Sequence, residues 1–257
     1  MLLAIDIGNT NITLGVFEGQ DLKSTYRVAT DQRRMPDEYG LQLNSLLPLK
    51  GVNPQDITDA CLCSVVPPLT PTLEEVCESY FKVSPLIVSA GVKTGIRILY
   101  DNPRDVGADR VVDAVAAFRL YGSPVIIVDF GTATVFDAVS REGDYLGGAI
   151  APGLNVAAES LFLSTSQLRR VELTPPKSAI GRNTIASIQS GLLLGHVGMV
   201  EGMVARFKAE LGREARVVAT GGLAPVIARE TQIFDIVNPD LTLIGLRMIH
   251  EMNSDPG

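Results

Sequence analysis

One short pattern occurs twice in this chain, and it restricts the fold more than any other feature. Leu2 to Asp6 is an apolar run ending in a carboxylate, Ile7-Gly8-Asn9-Thr10 turns the chain, and Ile12 to Phe17 resumes an alternating apolar pattern. Strand, Asp-x-Gly turn and strand return in Ile127-Val128-Asp129-Phe130-Gly131-Thr132-Ala133-Thr134-Val135-Phe136. Asp129 matches Asp6 and Gly131 matches Gly8, 123 residues further on. A repeat at that separation predicts a duplicated α/β fold with two similar lobes facing each other across a central cleft.

The chain between and after the repeats reads as alternating strands and helices. Leu22 to Ala29 predicts a third strand, and Pro36 at a first helical position opens a helix to Leu47. Ala60 to Val66 is an extended run stopped by Pro67-Pro68, Thr70-Pro71 opens a helix through Phe81, and Pro85 to Ser89 reads as a buried strand. Asn183 to Leu211 is helix-like, Ala215 to Thr220 a strand, Leu223 to Glu230 a helix and Pro239 to Met252 a closing helix. No low-complexity linker separates the halves, so the boundary is expected inside a packed helix near Asp105 to Leu120, with lobes at 1–115 and 116–257.

Composition narrows the function classes. Hydrophobic residues make up 46% and charged residues 20%, a globular balance, and no apolar run reaches the roughly 20 residues of a membrane span. Met1 to Ile5 is apolar but Asp6 follows at once, which does not fit a secretory leader, and the expected location is cytoplasmic. Lys plus Arg at 22 against Asp plus Glu at 29 leaves a net charge of −7, which disfavours nucleic acid as a partner. Cys61, Cys63 and Cys77 are odd in number, and the first two share one face of a strand-like run. Buried reduced thiols are expected rather than a metal site, since zinc takes four ligands and no histidine lies near. His196 and His250, each isolated on a helix-like segment, are read as packing or surface residues.

The repeated turn has a chemistry of its own. A carboxylate ending a strand can hold Mg²⁺ through water, which makes Asp6 the metal-side residue. Gly8 lacks a Cβ, so the turn can take a positive φ and bring backbone N–H groups close to phosphate oxygens, while Asn9, Thr10 and Thr13 offer side-chain donors. One copy is as well explained by a plain hairpin with Gly8-Asn9 as turn chemistry. A second copy, with Asp129, Gly131, Thr132 and Thr134, favours two cradles for one phosphate chain. Gly221-Gly222, after the strand ending at Thr220, is a turn that could admit a nucleotide base and ribose against the backbone, or a simple turn. The chain has no Gly-x-x-x-x-Gly-Lys-Ser/Thr, which excludes a P-loop, and no strand-linked dinucleotide fingerprint.

In this order the three elements resemble the phosphate-1, phosphate-2 and adenosine motifs of the acetate kinase, sugar kinase, Hsp70 and actin superfamily. The resemblance implies a duplicated ribonuclease H-like, actin-like ATPase fold in each lobe. Asp6-Ile7-Gly8-Asn9-Thr10, Asp101-Asn102-Pro103-Arg104-Asp105-Val106-Gly107-Ala108-Asp109-Arg110, Asp129-Phe130-Gly131-Thr132-Ala133 and Gly147-Gly148-Ala149-Ile150-Ala151-Pro152-Gly153 together resemble type III pantothenate kinase, from residue 2 to about 250. That resemblance implies ATP-dependent phosphorylation of pantothenate to 4'-phosphopantothenate, the first committed step towards coenzyme A.

It also implies a set of roles. Asp109 would be the base or would chiefly orient the hydroxyl. ATP would be bound by Asp6, Ile7, Gly8, Asn9, Thr10, Asn11, Ile12, Thr13, Gly131, Thr132, Gly221 and Gly222. Pantothenate would be contacted by Tyr100, Gly107, Ala108, Asp109, Arg110 and Thr184. Asp129 would hold a monovalent cation, K⁺ or NH4⁺, or else Mg²⁺ through water. The resemblance also implies a homodimer, in which Thr184 would serve either its own or the partner's site. Ile188, Leu192, Leu193, Val197 and Val200 fit either an interface or a core.

Taken without the resemblance, Arg110 also fits an ion pair with Asp109 or Asp105, Tyr100 a half-buried aromatic, and Thr184 a helix-start residue beside Asn183. Other readings on the same fold are a sugar or carboxylate kinase, a phosphatase, or a non-catalytic nucleotide-binding transcriptional accessory factor.

Overall fold

The computed structural model describes residues 1–166 and 168–254. The chain divides into two compact units. One comprises Met1–Ile96, Asp101–Ala116 and the segment from Thr242; the other comprises Arg97–Tyr100 and Ala117–Leu241. The elements, in chain order, are β1 (Leu2–Ile7), β2 (Asn11–Glu18), β3 (Asp21–Ala29), α1 (Pro36–Leu46), β4 (Asp59–Ser64), α2 (Thr70–Val76), β5 (Leu86–Ile87) and α3 (Ala108–Tyr121). They continue with β6 (Val125–Phe130), β7 (Ala133–Val139), β8 (Tyr145–Pro152), α4 (Leu154–Leu163), α5 (Thr184–Leu211), β9 (Arg216–Thr220), α6 (Ala224–Ile227), β10 (Ile236–Val237) and α7 (Leu241–Asn253).

The duplication predicted from Asp6 and Asp129 extends to the whole sheet. The first sheet has the order β3-β2-β1-β4-β5, and the second, read from its other edge, the order β8-β7-β6-β9-β10. In each, the central strand opens a three-stranded antiparallel meander and pairs parallel with the strand that follows the meander. The two sheets share one topology, that of a ribonuclease H-like fold used twice. The parallel partners β4 and β9 and the central β6 are nearly continuous apolar runs, as strands buried on both faces must be.

Alternation along β1 sorts its side chains between two layers. Leu3, Ile5 and Ile7 join Ile12, Leu14, Tyr39, Leu43 and Leu73 in a core under α1 and α2. Ala4 packs on the other face with Cys61, Cys63, Val112, Val115, Leu243 and Leu246, under α3 and α7. Asp6 shares the parity of Ala4, so its carboxylate leaves the sheet on the side of α3. In the second sheet, Ile126, Val128 and Phe130 face a core made with α4, α5 and α6, so Asp129 lies on the opposite face.

Several elements differ from the sequence expectation. The helix from Thr70 is α-helical only to Val76; Cys77–Phe81 is a π-helical turn closed by Lys82 at φ 61°, whose N–H bonds the Cys77 carbonyl. The strand expected at Pro85 to Ser89 shrinks to the half-buried edge strand β5, because Pro85 has no N–H to pair. The helix expected over Leu223 to Glu230 is only Ala224–Ile227, its flanks tightened by i to i−3 bonds from Arg229 to Val226 and from Glu230 to Ile227. The sequence pattern does not predict strands β8 and β10 or helix α4. The apolar stripe of α5 is core: Leu192, Leu193, Val197 and Val200 are buried, and Ile188 packs against them. The cysteines are free and buried, as expected.

Candidate active site

In the first unit the site grows from the carboxyl end of β1, where sheets of this kind present their ligands. Asp6 stands opposite Thr13 on β2 and in parallel register with Cys63 on β4. The following loop turns through Gly8, Asn9, Thr10 and Asn11, closed by the Gly8 N–H donating to the Asn11 carbonyl at 3.1 Å. Asn9, Thr10 and Asn11 are exposed and Thr13 is half-buried. Gly8 does not take the positive φ expected of it. Glycine relieves crowding there, since a Cβ would lie a tight 3.0 Å from the Asn11 oxygen. Ile7 and Ile12 are fully buried, so they can offer a ligand only their backbone. Thr30, which the sequence did not single out, braces the loop: its hydroxyl donates to the Gly8 carbonyl at 2.6 Å and its N–H to the Thr10 carbonyl at 3.0 Å.

Asp109 is the second residue of α3, and its Oδ1 accepts the Arg110 N–H at 2.8 Å, so the carboxylate caps the first turn of its own helix. Gly107 makes room for it, because a Cβ there would sit 2.5 Å from Asp109 Oδ1. Ala108 is half-buried and Arg110 is 9% exposed. Asp105 instead accepts from the Asn102 side chain at 2.8 Å.

The carboxylates of Asp6 and Asp109 are near enough to repel. Burial first, and the Asp109 charge second, raise Asp6 from the ordinary carboxylate value to about 7, against a smaller lowering by the Cys63 thiol. Burial also raises Asp109, opposed by the Arg110 N–H and charge. Two crowded, partly desolvated carboxylates form a place where a cation is stabilising, and their oxygen donors suit Mg²⁺. Burial keeps Cys63 protonated, well above its ordinary value, so its sulfur is not a competing ligand.

In the second unit Asp129 ends β6 in the corresponding way, opposite Val135 and in parallel register with Thr220. The turn is one residue shorter, with Gly131, Thr132 and Ala133 between the paired Phe130 and Thr134, and the Gly131 N–H donates to the Ala133 carbonyl at 3.0 Å. Gly131 and Thr132 are exposed. Gly221 has φ +86°, and a Cβ on it would lie 2.3 Å from Asp129 Oδ1 and 2.7 Å from the Phe130 nitrogen. Glycine is therefore obligatory where β9 passes Asp129, and the exposed Gly222 follows. Gly153, at the entry to α4, sits so close that a Cβ would meet the Thr132 oxygen at 2.3 Å.

One expected phosphate donor is spent elsewhere. Thr134 is 1% exposed, and its hydroxyl bonds His196 Nε2 on α5 at 2.9 Å. His196 is thus a core residue, its pKa lowered by burial. Tyr100, in the second unit, is half-buried with its ring centroid 6.4 Å from that of Tyr145 and against the Gly147 backbone. Thr184 is exposed at the start of α5, beside Asn183, whose side chain accepts the Ala186 N–H at 2.9 Å. Tyr100 and Thr184 thus stand on different elements. Among the described residues no group of three or more His, Cys, Asp or Glu is arranged to hold a metal ion, and no helix is long and apolar enough to cross a membrane.

Comparison with known proteins joins these features. The model of the family Type III pantothenate kinase matches residues 2–206. A type III pantothenate kinase of Myxococcus xanthus is 53% identical over 253 residues, which is 98% of this chain and 99% of that protein. Among solved structures, a Baf family protein from Campylobacter jejuni has TM-score 0.64 at 17% identity, covering 98% of both chains. The ethanolamine utilization protein EutJ from Carboxydothermus hydrogenoformans has TM-score 0.55 at 14% identity, covering 96% of this chain and 89% of the other. Those two likenesses speak to the fold alone. Matched by the family model over residues 2–206 and by a relative at 53% identity over nearly its whole length, this chain is a kinase of the type III pantothenate kinase family.

Proposed function

We propose that this chain transfers the γ-phosphoryl group of ATP to the primary hydroxyl of pantothenate, with Asp109 as the residue that aligns and deprotonates that hydroxyl. The observation that carries the assignment is the pairing of Asp109 with Asp6 at one end of the first sheet. Burial raises Asp109 towards the range in which a carboxylate accepts a proton usefully. Phosphoryl transfer passes through a loose transition state, so alignment and charge neutralisation carry most of the rate.

Asp6 holds Mg²⁺ through water, and that ion would offset charge on the transferring phosphates. The loop from Gly8 to Thr13 would hold ATP with the exposed side chains of Asn9, Thr10 and Asn11 and with backbone that Gly8 leaves open to close approach, and Gly131, Thr132, Gly221 and Gly222 would add close-approach backbone and the Thr132 side chain. Gly107, Ala108, Arg110, Tyr100 and Thr184 contact pantothenate. Asp129 binds K⁺ or NH4⁺, and unchanged turnover when Na⁺ replaces K⁺ would remove that assignment.

The protein acts in the cytoplasm as a homodimer. The apolar residues exposed in the second unit support the latter: Ile150 is 66%, Leu163 70% and Ile180 81% exposed. The deciding assay is ADP release from ATP with pantothenate, several sugars, acetate or no acceptor. Release dependent on pantothenate is expected. Release without an acceptor indicates a phosphatase, and no release overturns the enzymatic reading.

A further inference from the structure

The cavity among Thr58, Asp59, Lys82, Ser84, His250 and Asn253 in the first unit holds about 420 Å³, but its mixed charges select no class of ligand. A buried thiol carries a sharper inference. Cys63 is fully buried on β4, directly across from Asp6 in the parallel ladder and on the same face of the sheet. Its Sγ lies 3.5 Å from Asp6 Oδ1, the usual length of a bond donated by a thiol to an oxygen. Cys61 is a natural control. It is equally buried on the same strand and face, but its register partner is Ala4.

We infer that Cys63 is a positioning residue: its S–H, donated to Asp6 Oδ1, fixes the plane of the carboxylate that would hold the hydrated cation accompanying the nucleotide. The inference rests on the reading of Asp6 as the metal-side residue. A carboxylate that must orient water around a cation gains from a fixed plane, and outer partners of metal-site groups typically change affinity by about 10- to 100-fold when removed. Serine keeps a donor at this position and alanine does not, which separates hydrogen bonding from packing.

The test is calorimetric titration of the protein with ADP, with and without Mg²⁺, and the quantity read is the ratio of the two affinities. Asp6→Asn, Cys63→Ala, Cys63→Ser and Cys61→Ala are compared with the native chain, with a thermal melt of each to confirm folding. Cys63→Ala is expected to reduce the Mg²⁺ enhancement by about tenfold, Cys63→Ser by less than about threefold, and Cys61→Ala not at all. If Cys63→Ala behaves like Cys61→Ala while Asp6→Asn abolishes the enhancement, the role of Cys63 is refuted and that of Asp6 stands. If Asp6→Asn leaves the enhancement intact, the metal-side reading itself fails and this inference with it.

Discussion

Replacing Asp6 by asparagine should make the unliganded protein more stable at alkaline pH while removing its activity. The carboxyl group is raised from 3.8 to about 7 in the folded chain, mainly by burial and next by the Asp109 charge. Three units at about 1.4 kcal/mol each give about 4 kcal/mol between the two protonation states. The sign follows from which form the fold prefers. A raised pKa means that the native state favours the protonated acid, so its contribution is complete below the ordinary carboxylate value and is lost as pH climbs through about 7.

Asparagine has nearly the same shape and no charge to lose. The stability gap between Asp6→Asn and the native chain should therefore widen with pH, by about 2 to 3 kcal/mol between pH 5 and pH 8, and level off above. Asp6 keeps some solvent exposure, so water screens part of the effect and the full 4 kcal/mol is a ceiling. Urea denaturation of both proteins in excess chelator, at matched ionic strength, reads the gap directly. A gap constant to within about 1 kcal/mol across that interval would refute the claim that this carboxylate is held against its own ionisation.

Other perturbations read different parts of the site. Asp109→Asn should lower kcat by about 100-fold or more with little change in the KM for ATP, measured by coupled ADP release, since proton acceptors and hydroxyl-orienting groups act on the transition state. Gly221→Ala forces a Cβ to within 2.3 Å of Asp129 Oδ1 at φ +86°; it should destabilise the fold by about 2 kcal/mol or more in urea melts and raise the KM for ATP. Thr134→Val removes the bond to His196 and should cost about 1 to 2 kcal/mol in stability, with kcat nearly unchanged. A large loss of turnover in a folded Thr134→Val protein would return Thr134 to the phosphate cradle.

Much of this was legible in the sequence because the signals are local and repeated. An apolar run ending in Asp, a glycine two residues on and a second alternating run specify a hairpin with a carboxylate at its end, and two copies specify two sheets. What escaped was long-range. Nothing near Thr30 says that it will brace Gly8, and nothing near Cys63 says that it will face Asp6; both follow from strand order, which fixes neighbours tens of residues apart. That α7 packs in the first unit beside Val112 was equally hidden, since its apolar residues fit any sheet face. A glycine in a turn sequence carries no mark distinguishing crowding from positive φ, and at Gly8 it is crowding that the structure shows. Strand β8 carries Gly147-Gly148 in its interior, and paired glycines weaken the strand signal.

The two halves share one topology but differ in what surrounds the aspartate near the end of the central strand. In the first, the residue across from the aspartate is Cys63, which reaches Asp6 with a hydrogen bond, and α3 brings a second carboxylate to the same place. The equivalent position in the second half is Thr220, whose buried hydroxyl has no hydrogen-bond partner among the described residues, and the chain then passes through Gly221 hard against Asp129. The first arrangement gathers negative charge at a cost in stability. The second sets its carboxylate beside close-packed backbone. The turn shortened by one residue and the inward rotation of Thr134 towards His196 belong to the same divergence. Restoring the missing residue to the second turn should therefore not recover the first half's chemistry, because the deciding groups lie on neighbouring strands and on α3, outside the turn itself.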